Sequence, residues 1–311
     1  MKRETVFGIL GVLLYTQPSV AQKSVTDTVR LNFNIDSVAL EEVVVKGART
    51  PAANSRWSDM HPVELVTVGG ANGDLYKALQ TLPGTQVQGE TGELLVRGGG
   101  SYETQTFIDG MHVLNPYTSN GINTPARSRY STFMFSGVNL ASGGASQEYG
   151  EALSAVLPLE TKDYSKVDKV GVNASVVGVG GGGTKTFDRG SLSVDLNYQN
   201  LGLYDKVYSG RMDFEKPYRM FSGAVQFRYT LDERVVWKVY AQYDRTDFST
   251  YEGDNRRLFG LGEDNIYVNA TFRRHTSGEW SWFAGAAYSY YNRRIGGAVV
   301  SGDNWLERQQ E

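Results

Sequence analysis

The 311-residue chain carries 31 basic and 34 acidic residues, a formal net charge of −3, and no cysteine. Disulfides, thiolate chemistry and cysteine-ligated metals are excluded. The near balance of charge, with no block of one sign, offers no groove for nucleic acid. Glycine (36) and tyrosine (19) are abundant and proline (8) is scarce, which suits sheets with tight turns and interfacial aromatics.

At the N-terminus, Lys2 and Arg3 precede a short apolar run from Val6 to Tyr15. Ser19 and Ala21 then place small residues at the −3 and −1 positions of a cleavage site between Ala21 and Gln22. This is the pattern of a secretory signal, residues 1–21, and the run is too short for a membrane helix of ~20 apolar residues. No lipid-accepting cysteine follows, and no other segment is long enough for a membrane helix, so a membrane role has to be built from strands. Residues 22–50 are polar apart from Val43-Val44-Val45, which follow Glu41-Glu42 and precede Lys46-Gly47. With no core nearby, this reads as an extended segment able to add as a strand to another protein.

Residues 51–163 read as a compact mixed domain. Leu75, Ala78, Leu79 and Leu82 share one helical face, Asn72 is a candidate cap, and Pro83-Gly84 stops the helix. A short strand at Leu94 to Arg97 runs into Gly98-Gly99-Gly100. Thr106 to Ile108 and Met111 to Val113 flank Asp109-Gly110, a strong hairpin signal because both turn residues must reach positive φ. Ala155 to Leu159 forms one more strand.

From 164 to 311 the pattern changes to strict alternation, in six segments: 170–176, 192–199, 224–231, 235–245, 266–273 and 280–291. Each is about the ~9–11 residues that a tilted strand needs to cross a membrane. The apolar face carries no charge mid-strand, with Arg245 and Arg274 on it only at strand ends. The opposite face carries Asp195, Arg228, Lys238 and Asp244, as a wet lumen allows. A soluble β-sandwich alternates in the same way. The aromatics near strand ends (Trp237, Tyr243, Trp280, Trp282, Tyr288, Tyr290, Tyr291) and the export signal favour a membrane wall.

Several apparent motifs carry no chemistry. Residues 178–183 match G-x-G-x-x-G, but no helix follows to hold a pyrophosphate, and the run reads as an inter-strand turn. His61, His112 and His275 lie far apart without metal-type spacing. Ser101 lacks a G-x-S-x-G frame. No catalytic constellation and no cofactor motif emerge, so the expectation is a protein that is not an enzyme.

Taken together, these features resemble the TonB-dependent outer-membrane receptors. Leu40-Glu41-Glu42-Val43-Val44-Val45-Lys46-Gly47 looks like a TonB box of the type common in Bacteroidetes members. Leu79-Gln80-Thr81-Leu82-Pro83-Gly84, Val96-Arg97-Gly98-Gly99, Phe107-Ile108-Asp109-Gly110 and the stretch from Ser142 to Leu153 match the family's plug in order and spacing. The resemblance implies a mixed α+β plug domain followed by antiparallel transmembrane β-barrel strands: an incomplete barrel, about six strands of about 22. It implies an outer-membrane location reached through the periplasm, contact with outer-membrane lipid, an extracellular ligand, and TonB with its inner-membrane energising complex as partner. A surface lipoprotein is a further partner it allows. Glu42, Val43, Val44 and Val45 would pair with TonB. Gly98, Gly99, Gly100, Ser101, Tyr102, Asn115, Tyr117 and Asn120 fall in the plug loops expected to meet a siderophore, vitamin, metal complex or glycan. Six strands enclose nothing, so the chain reads as the N-terminal portion of a receptor, not competent for transport alone. A secreted or surface-attached plug-like binding module is the alternative. The loop parity conflicts with a plug that enters the barrel from the periplasm, since long and short connections fall at the wrong ends.

Overall fold

The computed structural model describes residues 4–7, 11–18, 57–71, 73–87, 91–119, 126–143, 148–162, 167–207, 213–232, 234–252, 257–276, 280–300 and 306–309. Two short strands near the start, β1 (Glu4–Phe7) and β2 (Gly11–Pro18), pair with the strand spanning 280–300. Ala21, Gln22, Glu42 to Val45, Asn72 and Asn120 lie outside the described residues.

The first unit is built on a five-stranded sheet. Its elements are β3 (Trp57–Met60), α1 (Pro62–Thr67), α2 (Leu75–Leu79), β4 (Thr85–Gln86), β5 (Leu95–Val96), β6 (Thr104–Ile108), β7 (Met111–Val113), β8 (Phe135–Ala141) and β9 (Ala155–Thr161). The sheet order is β3-β8-β9-β6-β7, with β6 and β9 parallel and the other pairs antiparallel, while β4 and β5 form a separate ribbon. Leu75, Tyr76, Ala78 and Leu79 of α2 are all buried. The cap is Asp74, whose Oδ1 accepts from the Lys77 N–H at 2.9 Å, because its side chain reaches the first free donor of the helix. Gly84 at φ 86° turns the chain away from the helix. The β6–β7 hairpin closes through Asp109 (φ 50°) and Gly110 (φ 84°), the two left-handed residues that a tight two-residue turn requires.

The second unit is an antiparallel meander: β10 (Lys169–Ser175), β11 (Gly178–Phe187), β12 (Gly190–Asn200), β13 (Phe214–Asp232), β14 (Val235–Glu252), β15 (Arg257–His275) and β16 (Trp280–Val300). Helix α3 (Gly202–Val207) lies between β12 and β13, and β17 (Leu306–Gln309) pairs with β16.

This corrects the expectation of six strands. The glycine run 178–183 is not a turn but the body of β11, in register with β10 from Lys169↔Thr184 and with β12 from Gly178↔Gln199. Glycine carries no side chain to display the period-2 pattern, so the strand is invisible to hydropathy while its backbone pairs normally. The extra strand also removes the parity conflict. The turns at 188–189, 233–234 and 276–279 now lie at the end where the chain enters the sheet, and the longest connection, 201–213, lies at the other.

β13 to β16 are 18 to 21 residues long, well beyond the alternating segments read from the sequence. Past Tyr243, Ile266 and Tyr290 the outward positions become Arg245, Asp264, Gly262 and Arg294, so the apolar signal stops although the ladder continues. Arg245 is therefore an interior strand residue, not a terminal one.

Burial across this sheet is inverted relative to a soluble sandwich. On β14, Tyr240, Gln242, Asp244, Thr246 and Phe248 are buried, while Trp237 and Tyr243 are exposed on the other face. β15 repeats the pattern with Glu263, Asn265, Tyr267, Asn269 and Thr271 buried. The buried face is covered by the first unit, whose apolar core runs without interruption into Ala224, Tyr240 and Tyr267 of the wall.

Candidate functional site at the plug and wall

Wall and first unit meet in two polar clusters. In the upper one, the chain between β7 and β8 carries Ser119 and Arg129 into the wall. The Arg129 guanidinium donates to Asp244 on β14 and, at 3.0 Å, to Glu263 on β15. Glu263 also accepts from the Ser119 N–H at 3.1 Å, from the Ser119 hydroxyl, and from the Tyr291 hydroxyl at 3.2 Å. Asp244 accepts from Asn265 Nδ2 at 3.0 Å, and Gln242 Nε2 donates to the Arg129 carbonyl at 3.1 Å. Arg129 also lies 5.6 Å from the centre of the Tyr291 ring. Burial disfavours the Arg129 charge, but the carboxylates, Asp244 foremost, more than offset it and hold its pKa above the ordinary value. One cation thus faces two carboxylates in a dry site, each oxygen engaged by at least one donor.

The lower cluster forms around the β6–β7 turn. Asp109 accepts from the Thr161 N–H at 3.0 Å and from its hydroxyl at 2.6 Å, and Lys238 of β14 approaches Asp109 at 3.4 Å and donates to the Thr161 carbonyl at 3.1 Å. Asn269 donates to the Ile108 carbonyl at 2.9 Å and Tyr267 to that of Met111 at 3.3 Å. Burial, and then the neighbouring Asp109 charge, raise the Glu160 carboxyl to about 7, with Lys238 and Arg273 opposing. The apolar seam between the clusters is aromatic: Tyr130 lies 6.3 Å from Tyr240 and 6.1 Å from Tyr267, and Phe135 lies 5.9 Å from Tyr240.

The alternation places Asp195, Arg228, Lys238 and Asp244 on a face that suits a wet lumen. Asp244 and Arg228 are buried and Lys238 is nearly so: Arg129 and Asp109 of the first unit meet Asp244 and Lys238, and Ser193 and Gln226 of the wall itself meet Arg228. Arg129 and Glu263 were not singled out from the sequence. The available signal was a charged residue on an otherwise polar inward face, which a lumen of either kind permits.

Of the loop residues expected to meet a ligand, Gly98, Gly99 and Gly100 line a shallow cleft with Gln86, Val87 and Leu95. A side chain at Gly99 would lie 2.7 Å from Ser154. Ser101 donates to Glu93 at 2.5 Å, and Tyr102 is 78% exposed. Asn115 is half-buried. Tyr117 packs on Tyr76 with ring centres 4.3 Å apart, and its hydroxyl accepts from the Leu94 N–H at 3.2 Å, so it braces the two loops from below. His112 meets Gln105 at 2.6 Å, far from His61 and His275.

The profile of the TonB-dependent receptor plug domain matches residues 66–156, which span α2, the glycine loop, the β6–β7 hairpin and Arg129. The first unit is a TonB-dependent receptor plug. Among solved structures, the chain is similar to the outer membrane transporter YddB from Escherichia coli (TM-score 0.52, 11% identity, covering 81% of this chain and 42% of that one). It is also similar to the siderophore receptor PirA from Pseudomonas aeruginosa (TM-score 0.51, 14% identity, 80% and 46%). At such identities the likeness is one of fold: a plug against antiparallel barrel strands, as in receptors of the outer membrane. The chain spans less than half the length of either structure. A comparison with curated proteins finds no match. The plug and the inverted wall pack against one another, and the two polar clusters are their joint.

Proposed function

We propose that the chain is the N-terminal portion of a receptor for energised uptake across the outer membrane. The observation that carries this reading is the joint itself: a plug seated by buried, hydrogen-bonded polar groups on the inward face of a sheet whose outward face is apolar. A secreted binding module has no use for an outward face bearing Trp237, Trp280, Trp282, Val225 and Phe227, all at least 40% exposed. On this reading residues 1–21 direct export, with cleavage between Ala21 and Gln22, so β1 and β2 leave with the signal and the edge of β16 that they cover is free in the exported protein. The end with the short turns faces the periplasm and the end with the 201–213 connection faces outward, as in outer-membrane barrels. Ligand meets the plug from outside, through Gly98 to Tyr102 and the loop containing Asn115 and Asn120. The neighbouring folds include a siderophore receptor and a ferric enterobactin receptor, and a ligand of this scarce, bulky kind fits a plugged lumen.

Glu42 to Val45 would pair with TonB by strand addition, in which backbone N–H groups supply the affinity. A proline there removes one donor and fixes φ. The test is capture of this protein from outer membranes by the periplasmic domain of TonB. Wild type should be captured and Val44→Pro should not, while Val44→Thr, which keeps the backbone donors, should be. Equal capture of wild type and Val44→Pro would defeat the assignment of the box.

A further inference from the structure

The loop that carries Asn115 and Asn120 rises from two paired arms. Tyr117 and Ser128 form an antiparallel bridge. The Thr118 N–H donates to the Arg127 carbonyl at 2.9 Å and the Arg129 N–H to the Pro116 carbonyl at 3.2 Å. The Arg127 N–H donates to the Thr118 hydroxyl at 2.9 Å and closes the stem. The wall holds this stem through Ser119 and Arg129. Helix α2 meets the same stem: the Tyr76 ring packs on Tyr117, and Asp74 reaches Ser128.

Asp74 divides its two oxygens between these elements. Oδ1 caps α2 by accepting from the Lys77 N–H at 2.9 Å, and Oδ2 accepts from the Ser128 N–H at 2.7 Å. A cap alone needs one acceptor, and asparagine or serine serves as well. A carboxylate is the side chain that offers two acceptor oxygens and no donor. This one is buried, so a donor that leaves it is not readily replaced by water. The stacked rings of Tyr76 and Tyr117 can slide past one another, whereas hydrogen bonds hold only within a narrow range of length. A shift of Ser128 by about an ångström must therefore turn the carboxylate away from Lys77 or lose Ser128. The effect does not stop at the cap. The Asp74 N–H donates to the Ala71 carbonyl, and α1 and α2 share the core through Leu65, Leu75 and Leu79.

We propose that Asp74 is a positioning residue that ties the loop carrying Asn115 and Asn120 to the N-terminus of α2, so that displacement of this loop by a bound ligand loosens α2 and the turn before it. This rests on reading the loop as ligand-facing, and it names the group through which occupancy reaches the part of the plug that follows residues 22–50.

The experiment reads amide exchange by mass spectrometry on the protein taken from its own outer membranes in neutral detergent. It needs no ligand, TonB or transport, so its outcome is separate from that of the uptake reading. T118A removes the acceptor of the Arg127 N–H and loosens the stem from within. It should speed exchange about tenfold over 114–119, and with it over 75–80, the order of one lost hydrogen bond. D74N fills the same volume but keeps one of the two bonds and not both, because its amide nitrogen is a donor. In the D74N background, T118A should still loosen 114–119 and should leave 75–80 where D74N alone puts it. T118S, which keeps the hydroxyl, should match wild type. An equal response of 75–80 to T118A in both backgrounds would overturn the proposal and route the coupling through Tyr76 and Tyr117. A loosened stem with 75–80 unmoved would overturn it too. So would D74N alone, a measurement independent of T118A, if it changed exchange in neither segment. Absence of the wild-type protein from the outer membrane would instead bring down the uptake reading.

Discussion

At the scale of single residues, Arg129 concentrates the dependence of the plug on its wall. Removing one member of a buried, bonded ion cluster leaves the others as uncompensated charge, at a cost of about 3–5 kcal/mol. Arg129→Ala should therefore release the plug, seen as lost protease protection of residues 66–156. The triple change R129M/D244N/E263Q, which leaves no charge behind, should recover most of that protection, and its failure to do so would mean that the charges are not what holds the joint. Glu160 carries a pH dependence of definite sign. Its carboxyl titrates at about 7 when seated and near the ordinary carboxylate range when unfolded, so between those values the seated form binds the extra proton. Its contribution to seating is full below the ordinary range and fades as pH rises through about 7. Glu160→Gln should flatten the pH dependence of plug protection between pH 5 and 8, a window of ~3 pH units around that titration; an unchanged profile would assign the dependence elsewhere.

Among the elements, β11 shows where sequence legibility ends. The hairpin at Asp109-Gly110, the buried face of α2 and the alternation of β12 to β16 were all readable, because each leaves a periodic or conformational mark in residue type. β11 leaves none, and its missing strand reversed the inferred orientation of everything after it. The true helix cap, Asp74, stood two residues from the expected Asn72, which is the ordinary uncertainty of a helix start. The ion cluster was unreadable for another reason: Arg129 and Glu263 are 134 positions apart, and only the fold brings them together. The glycines of β11 also make a prediction. A side chain at Gly180 would begin 2.1 Å from Asn197 Oδ1 and 3.0 Å from Asn173, whereas one at Gly171 on β10 meets nothing within 4 Å. Gly180→Val should raise amide exchange along β10 and β11, and Gly171→Val should leave it as it is or lower it. Equal effects would argue that the two asparagines do not close over Gly180.

For the molecule as a whole, the inversion of polarity decides which surfaces tolerate change. Ala270 is exposed on the outward face of β15, midway along the apolar band between Val268 and Phe272. Ala270→Arg should destabilise the sheet in a bilayer by about 2–4 kcal/mol. In neutral detergent micelles, which deform around a charge, the penalty should be smaller. Unfolding titrations of both variants in the two media decide this, and an equal loss in each would place Ala270 against protein rather than lipid.

The joint between plug and wall combines two clusters of short-range polar contacts with the apolar seam around Tyr240 and Tyr267. Hydrogen bonds vanish once donor and acceptor part beyond about 3.5 Å, so a displacement of under an ångström breaks those around Arg129 and Asp109 together. Water entering the gap then weakens the remaining attraction between opposite charges severalfold. Under load such a joint is brittle: it holds without creep up to a threshold, fails at once, and reseals only by expelling the water again. A plug mounted this way would answer a sharp pull on its N-terminal side and ignore thermal jostling of the same average energy.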